Sequence, residues 1–186
     1  MNDITTKVTE TKTMRKAIFM MGGPASGKTS VRLERYADTL TIDSDEFKAA
    51  HPDYDPKNAS ALHAWSSLEA RKMFDAAVAD GVDFVYDGTG STAEKYVDLI
   101  ETAKTAGYET EIIYVECDVH IALKRNAKRD RRVDEDVIIE KYELITTSFA
   151  IVSDYADKVT VIAKTVAVRS MTWDLATFFD GVSKFF

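Results

Sequence analysis

The chain has 186 residues, 45% of them hydrophobic and 30% charged, with a formal net charge of −7. That size suits one domain around a single core, and the acidic balance argues against a dedicated nucleic-acid coat. The lone cysteine, Cys117, excludes an internal disulfide and points to a reducing, cytoplasmic compartment, and no apolar run approaches the roughly 18 residues of a membrane span.

The opening "MNDITTKVTETKT" lacks the apolar stretch of a signal peptide and reads as a polar tail over 1–13, ahead of a single domain over 14–186. "AIFMM", 17–21, is a continuous apolar run of the kind found in a central parallel strand buried on both faces. A glycine-rich loop follows, and a helix is expected from Lys28 to about Leu40. "TLTID", 39–43, reads as a short second strand and "HPDYDP", 51–56, as a break, because neither Pro52 nor Pro56 fits a helix interior. Residues 58–80 are alanine-rich and helical, closed by Gly81. "VDFVYD", 82–87, is a third strand. Ser91 and Glu94 have the spacing of a capping box, opening a helix whose Tyr96, Ile100 and Ala103 share one face and which stops at Gly107. "TEIIYVE", 110–116, is a fourth strand, with Cys117 at its end as a buried thiol. A short helix is expected over 119–128, then another capped by Asp134 with Ile138, Tyr142, Ile145 and Phe149 at helical spacing. "KVTVIAK", 158–164, is a fifth strand, and 170–185 reads as a last helix. Strands alternating with helices predict an α/β three-layer sandwich around a five-stranded, mostly parallel sheet.

Three groups of residues carry chemistry. The first is "GGPASGKTS", Gly22, Gly23, Pro24, Ala25, Ser26, Gly27, Lys28, Thr29 and Ser30, with the spacing of a phosphate-binding loop. Its glycines let successive N–H groups turn inward on phosphate oxygens, and the helix that follows presents its positive end to the same anion. Lys28 is expected to reach the β- and γ-phosphates of ATP or GTP, and the Thr29 hydroxyl to ligand Mg²⁺. The second group is acidic. Ligands of an open parallel sheet sit beyond the carboxyl ends of its strands, where Asp43, Asp45 and Glu46 follow strand two and Asp87 ends strand three. One carboxylate there suits a proton acceptor for a substrate hydroxyl, and another suits Mg²⁺ or substrate binding. Asp87 is a candidate for both of the latter, and Thr89 of the adjoining "GTG" turn joins it on the acceptor side. Glu46 reads as a helix-start acid, and spacing does not separate Asp43 from Asp45 as the base. The third group is "LKRNAKRDRRVDED", with Lys124, Arg125, Lys128, Arg129, Arg131 and Arg132. It reads as a small lid over about 124–133 whose arginines neutralise charge on a transferring phosphoryl group and exclude water. A nucleic-acid grip and a solvated helix end are the weaker readings, and Arg125 is the weakest member of the set.

The segments "GGPASGKTS", "TIDSDEFKAAHPDYD", "VYDGTGST" and "GYETEIIYVECD" occur in the order, and near the spacing, seen in zeta-toxin-like P-loop kinases, and the resemblance runs from about Ala17 to Asp134. The phosphate loop is common to many families; the "D-x-D-x-F-x-x-x-H-P" segment and the "GTG" turn are more specific. The resemblance implies a P-loop kinase fold and phosphoryl transfer from ATP or GTP to a substrate hydroxyl. In zeta toxins that hydroxyl belongs to UDP-N-acetylhexosamine, whereas the wider group includes kinases of nucleic-acid ends. It also implies that Asp45, the second acid of "DSD", is the general base, and that Arg129 and Arg132 are the lid arginines. Two positions depart from the pattern: Asp87 stands where zeta toxins carry a glutamate, and Ser91 where they carry an arginine.

Three functions follow as expectations. The first is a kinase of a small hydroxyl acceptor. The second is a nucleic-acid kinase acting on a 5′-hydroxyl or a hydroxymethylated base, the less favoured partner for so acidic a chain. The third is a nucleotide switch or ATPase without acceptor, which would call for a base-specificity motif such as "NKxD", and none occurs.

Overall fold

A computed structural model describes residues 14–56, 58–129 and 132–163. The tail over 1–13, Arg131, and the helix expected over 170–185 lie outside these described residues. Five strands, β1 (Arg15–Met21), β2 (Leu40–Asp43), β3 (Phe84–Asp87), β4 (Tyr108–Glu116) and β5 (Lys158–Ala163), form one sheet in the order β2-β3-β1-β4-β5. Every pairing is parallel, and Met20, Asp87 and Asp43 fall side by side near the carboxyl ends of β1, β3 and β2. Parallel neighbours need crossovers, and helices α1 (Lys28–Arg35), α2 (Ser44–Ala50), α3 (His63–Asp80), α4 (Ala93–Thr105), α5 (Val119–Asn126) and α6 (Glu135–Val152) supply them.

Side chains alternate across the central strand. Ala17, Phe19 and Met21 face a core completed by Phe74 of α3, Leu99 and Ile100 of α4 and Val152 of α6. Ile18 and Met20 face the opposite way, against Val31 of α1, with Val85, Ile113 and Val115 from the flanking strands. The layers are therefore helix, sheet and helix. In the larger core, Phe19, Phe74, Phe84 and Tyr86 meet edge-on or tilted, the arrangement aromatic quadrupoles favour. Among the described residues no helix is long and apolar enough to cross a membrane.

Local readings from the sequence meet three corrections. Helix α1 stops at Arg35, well short of Leu40: Tyr36 leaves helical geometry and its carbonyl accepts from Thr39 N at 3.1 Å, turning the chain into β2. Helix α4 starts at Ala93 behind Thr92, so Ser91 makes no capping box; its hydroxyl lies 3.2 Å from that of Thr89 instead. Asp134 does precede α6, but its carboxylate makes no capping hydrogen bond.

Candidate active site at the carboxyl end of the sheet

The loop after β1 turns on residues in unusual backbone conformations. Gly22 and Gly27 have φ of 146° and 104°, and Ala25 adopts φ 58°. A Cβ on Gly22 would sit 2.7 Å from the Val115 carbonyl oxygen, so only glycine fits that close approach. Gly22 N donates to Thr89 O at 3.0 Å, which ties the loop to the "GTG" turn. Gly27 then opens α1, whose first amides belong to Lys28, Thr29 and Ser30. Lys28 Nζ arches over the loop and donates to Gly22 O at 2.7 Å and Gly23 O at 3.2 Å. Burial lowers its pKa, while Asp87, Asp43 and Asp45 oppose that shift and Arg129 adds to it. The hydroxyl of Ser26 is fully buried, with no hydrogen-bond partner among the described residues.

Residues of α5 and α6 hold the loop apex from behind. Tyr142 Oη donates to Pro24 O at 3.2 Å, and Arg125 Nη1 donates to Ser26 O at 3.0 Å and Ala25 O at 3.4 Å. Three successive carbonyls are thereby held from the side of α5 and α6. Arg125, the weakest member of its cluster in the sequence, is a main support of the phosphate loop. The Tyr142 ring is pressed so closely on Gly23 that a Cβ there would come within 2.1 Å of it.

Asp43 and Asp87 stand next to each other on β2 and β3. Asp43 Oδ1 accepts from Asp45 N at 2.8 Å and so caps α2. Burial, followed by the charges of Asp87, Asp45 and Glu46, raises the Asp43 pKa to about 6 against the pull of that backbone bond. Burial also raises the pKa of Asp87, opposed by Lys28 and Arg32. Arg32, one turn beyond Lys28, spreads over three partners. Its Nε lies 3.2 Å from Asp87 Oδ2, Nη1 donates to Thr41 Oγ1 at 3.0 Å, and Nη2 reaches Glu46 Oε1 at 3.2 Å. Asp45 is the most exposed acid of the group at 63%, paired at 2.9 Å with the buried ammonium of Lys48.

These residues line one cleft of about 1430 Å³, which contains Lys28, Thr29, Ser30, Asp43, Asp45, Asp87, Thr89 and Arg129. Arg132 does not line it; it is exposed at the rim, its Nε 3.4 Å from Arg129 O. The basic stretch leaves α5 through a narrow neck. The buried Asn126 donates from Nδ2 to Val133 O at 2.7 Å and accepts from Val133 N at 3.0 Å. Lys48, Arg71, Lys95 and Lys141, one each from α2, α3, α4 and α6, also line the cleft. Burial and then the ammonium groups of Lys48, Lys95 and Lys141 push His63 below its ordinary pKa. Arg71 is held by Asp75 and Asp98, and Lys95 sits over the Tyr86 ring. Sequence spacing singled out none of Arg32, Lys48, Asn126 or Tyr142.

The donor set suits magnesium. Thr29, Asp43 and Asp87 offer hard oxygen ligands, and Mg²⁺ typically takes one or two carboxylates plus phosphate oxygens. No group of three or more His, Cys, Asp or Glu that could hold a metal ion occurs among the described residues, so phosphate or water would have to complete the shell of a bound Mg²⁺.

A parallel sheet of this order, with a phosphate loop after β1 and acids ending β2 and β3, defines a P-loop fold of the kinase type. The fold of shikimate kinase from Acinetobacter baumannii is similar, with a TM-score of 0.53, 17% identity and coverage of 92% of this chain and 94% of that one. So is a structure from the PezAT chromosomal toxin-antitoxin system of Streptococcus pneumoniae, with a TM-score of 0.66, 16% identity and coverage of 84% and 70%. The chain belongs to the zeta toxin family, whose profile matches residues 2–173. It is 29% identical over 106 residues to toxin zeta of Streptococcus pyogenes, an alignment covering 50% of this chain and 37% of that relative. The chain thus matches well under half the length of this relative.

Proposed function

We propose that the protein is a kinase that transfers the γ-phosphoryl group of ATP or GTP to a hydroxyl of a small, phosphate-bearing acceptor such as a nucleotide sugar. The observation that carries this reading is the shared cleft: the phosphate loop, Asp45 and several lysines line one space. The loop amides and Lys28 bind the triphosphate, and its oxygens replace the Gly22 and Gly23 carbonyls as partners of the ammonium. Thr29 and Asp87 would hold Mg²⁺, which when bound neutralises charge on the β- and γ-phosphates. The acceptor oxygen attacks the γ-phosphorus and forms a new P–O bond as the bond to the bridging oxygen breaks. The hydroxyl proton passes to Asp45, and the nucleoside diphosphate leaves. Arg129, and Arg132 from the rim, neutralise charge on the transferring group. Lys95 and Lys141, which line the same cleft, favour an anionic acceptor, because cations there repel a cationic ligand and draw phosphate.

The experiment is direct. The protein is incubated with γ-labelled ATP, Mg²⁺ and separate panels of nucleotide sugars, nucleosides and 5′-hydroxyl oligonucleotides. Label on a nucleotide sugar supports the reading. Label only on oligonucleotides, with binding that weakens steeply between low and physiological salt, favours the nucleic-acid kinase. Label released solely as inorganic phosphate leaves an ATPase.

A further inference from the structure

We infer that Lys48 is a positioning residue for phosphoryl transfer, fixing the carboxylate of Asp45 where an acceptor hydroxyl can deliver its proton. The inference rests on the proposed role of Asp45 as proton acceptor. Lys48 is only 7% exposed, although a lysine on a seven-residue surface helix could extend into water. Burying an ammonium is unfavourable unless it is paired. It pairs with Asp45, three residues earlier on the same face of α2, at 2.9 Å from Nζ to Oδ1. The asymmetry is informative: the buried ammonium restrains a carboxylate that is 63% exposed.

The first turn of α2 is held at three points. Asp43 accepts from Asp45 N at 2.8 Å, Arg32 reaches Glu46 at 3.2 Å from α1, and Lys48 takes the Asp45 side chain. The first holds the backbone at the start of α2, and the second ties its first turn to α1. The third acts on the carboxylate itself. Both Lys48 and Asp45 line the cleft, so the restraint acts where transfer is proposed.

The test uses the full chain, γ-labelled ATP as donor and a UDP-N-acetylhexosamine as acceptor probe, alongside the acceptor panel above. Lys48→Met removes the charge at similar length, and Lys48→Arg keeps it. Misplacing a catalytic group by about 1 Å costs on the order of 10²-fold. Lys48→Met is therefore expected to lower kcat roughly 10- to 100-fold, with ATP affinity, acceptor KM and Tm near wild type, and Lys48→Arg to recover most of that loss. Since Lys48 acts through Asp45, adding Lys48→Met to Asp45→Asn should cost less than about 2-fold more, the signature of a coupled pair. Three results overturn the inference: a raised acceptor KM at unchanged kcat, which would make Lys48 an acceptor contact; losses that add fully in the double variant; or a fall in Tm with normal turnover. If Asp45→Asn alone turns over like wild type, or wild type labels no acceptor, the parent reading fails and the inference with it. An inactive Asp45→Asn beside an unimpaired Lys48→Met removes the inference alone.

Discussion

Asp43 and Asp87 are neighbours on adjacent strands, and each is held above the ordinary carboxylate range, chiefly by burial. An acid whose folded pKa is raised contributes stability that is fully present below its unfolded value and lost as pH rises through the folded one. For Asp43 that window runs from 3.8 to about 6. Asp43→Asn keeps an oxygen to cap α2 but removes the titration. It should flatten the decline in Tm between pH 4 and 6 and gain about 1–3 kcal/mol above it; a profile parallel to wild type would exclude Asp43 as the source. Lys28 belongs to the same scale. Its ammonium already makes charge-assisted bonds to two loop carbonyls, and such bonds contribute about 1.5–3 kcal/mol. Lys28→Ala is expected to weaken ATP binding about 10- to 100-fold by calorimetry, and an unchanged Kd would contradict the loop's assignment.

At the scale of elements, the phosphate loop and the arginine-rich segment share supports. Arg125 and Tyr142 hold the loop carbonyls, and Asn126, next along α5, closes the neck at Val133. Asn126→Ala would leave the N–H and C=O of the half-buried Val133 without this partner, at a cost on the order of 2 kcal/mol. That is a drop of roughly 4–8 °C in Tm for a chain of this size, and faster proteolytic nicking within 127–133 should accompany it. Tm within 1 °C of wild type would show that Asn126 does not hold the neck closed. This scale also shows what the sequence discloses. The five strands, the glycine loop and the αL stop at Gly81 are legible because each is written in consecutive residues: an apolar run, a glycine spacing, a helix end. The end of α1 is not, because Tyr36 leaves the helix to let the chain enter β2, a demand set by the sheet. Nor is the role of Tyr142, whose partner Pro24 lies 118 residues away. Lys48 lies three residues from Asp45 and their pairing could be read from a helix; its burial could not, since that depends on how α2 settles on α3.

Across the whole molecule, the sheet separates two unequal cores, and the larger one carries the aromatic lattice that sets the height of β3 against β1. Phe74, with no exposed surface, meets Phe84 and Tyr86 edge-on at 5.4 and 6.2 Å. Phe74→Ala should therefore cost about 3–5 kcal/mol, read as a fall in the denaturant midpoint at unchanged m-value; a loss under 1 kcal/mol would mean that α3 does not lock the sheet. The same packing brings Met20, Asp87 and Asp43 into line at the carboxyl end of the sheet, where the phosphate loop and the acids after β2 and β3 line one cleft. The central claim is that Asp45 takes the acceptor's proton in that cleft. Its most direct test is the transfer rate of Asp45→Asn with γ-labelled ATP and the labelled acceptor, measured beside ATP affinity. A fall of roughly 10²–10⁴-fold in transfer with ATP affinity within about twofold of wild type is the expected result, and wild-type transfer by Asp45→Asn would contradict the account.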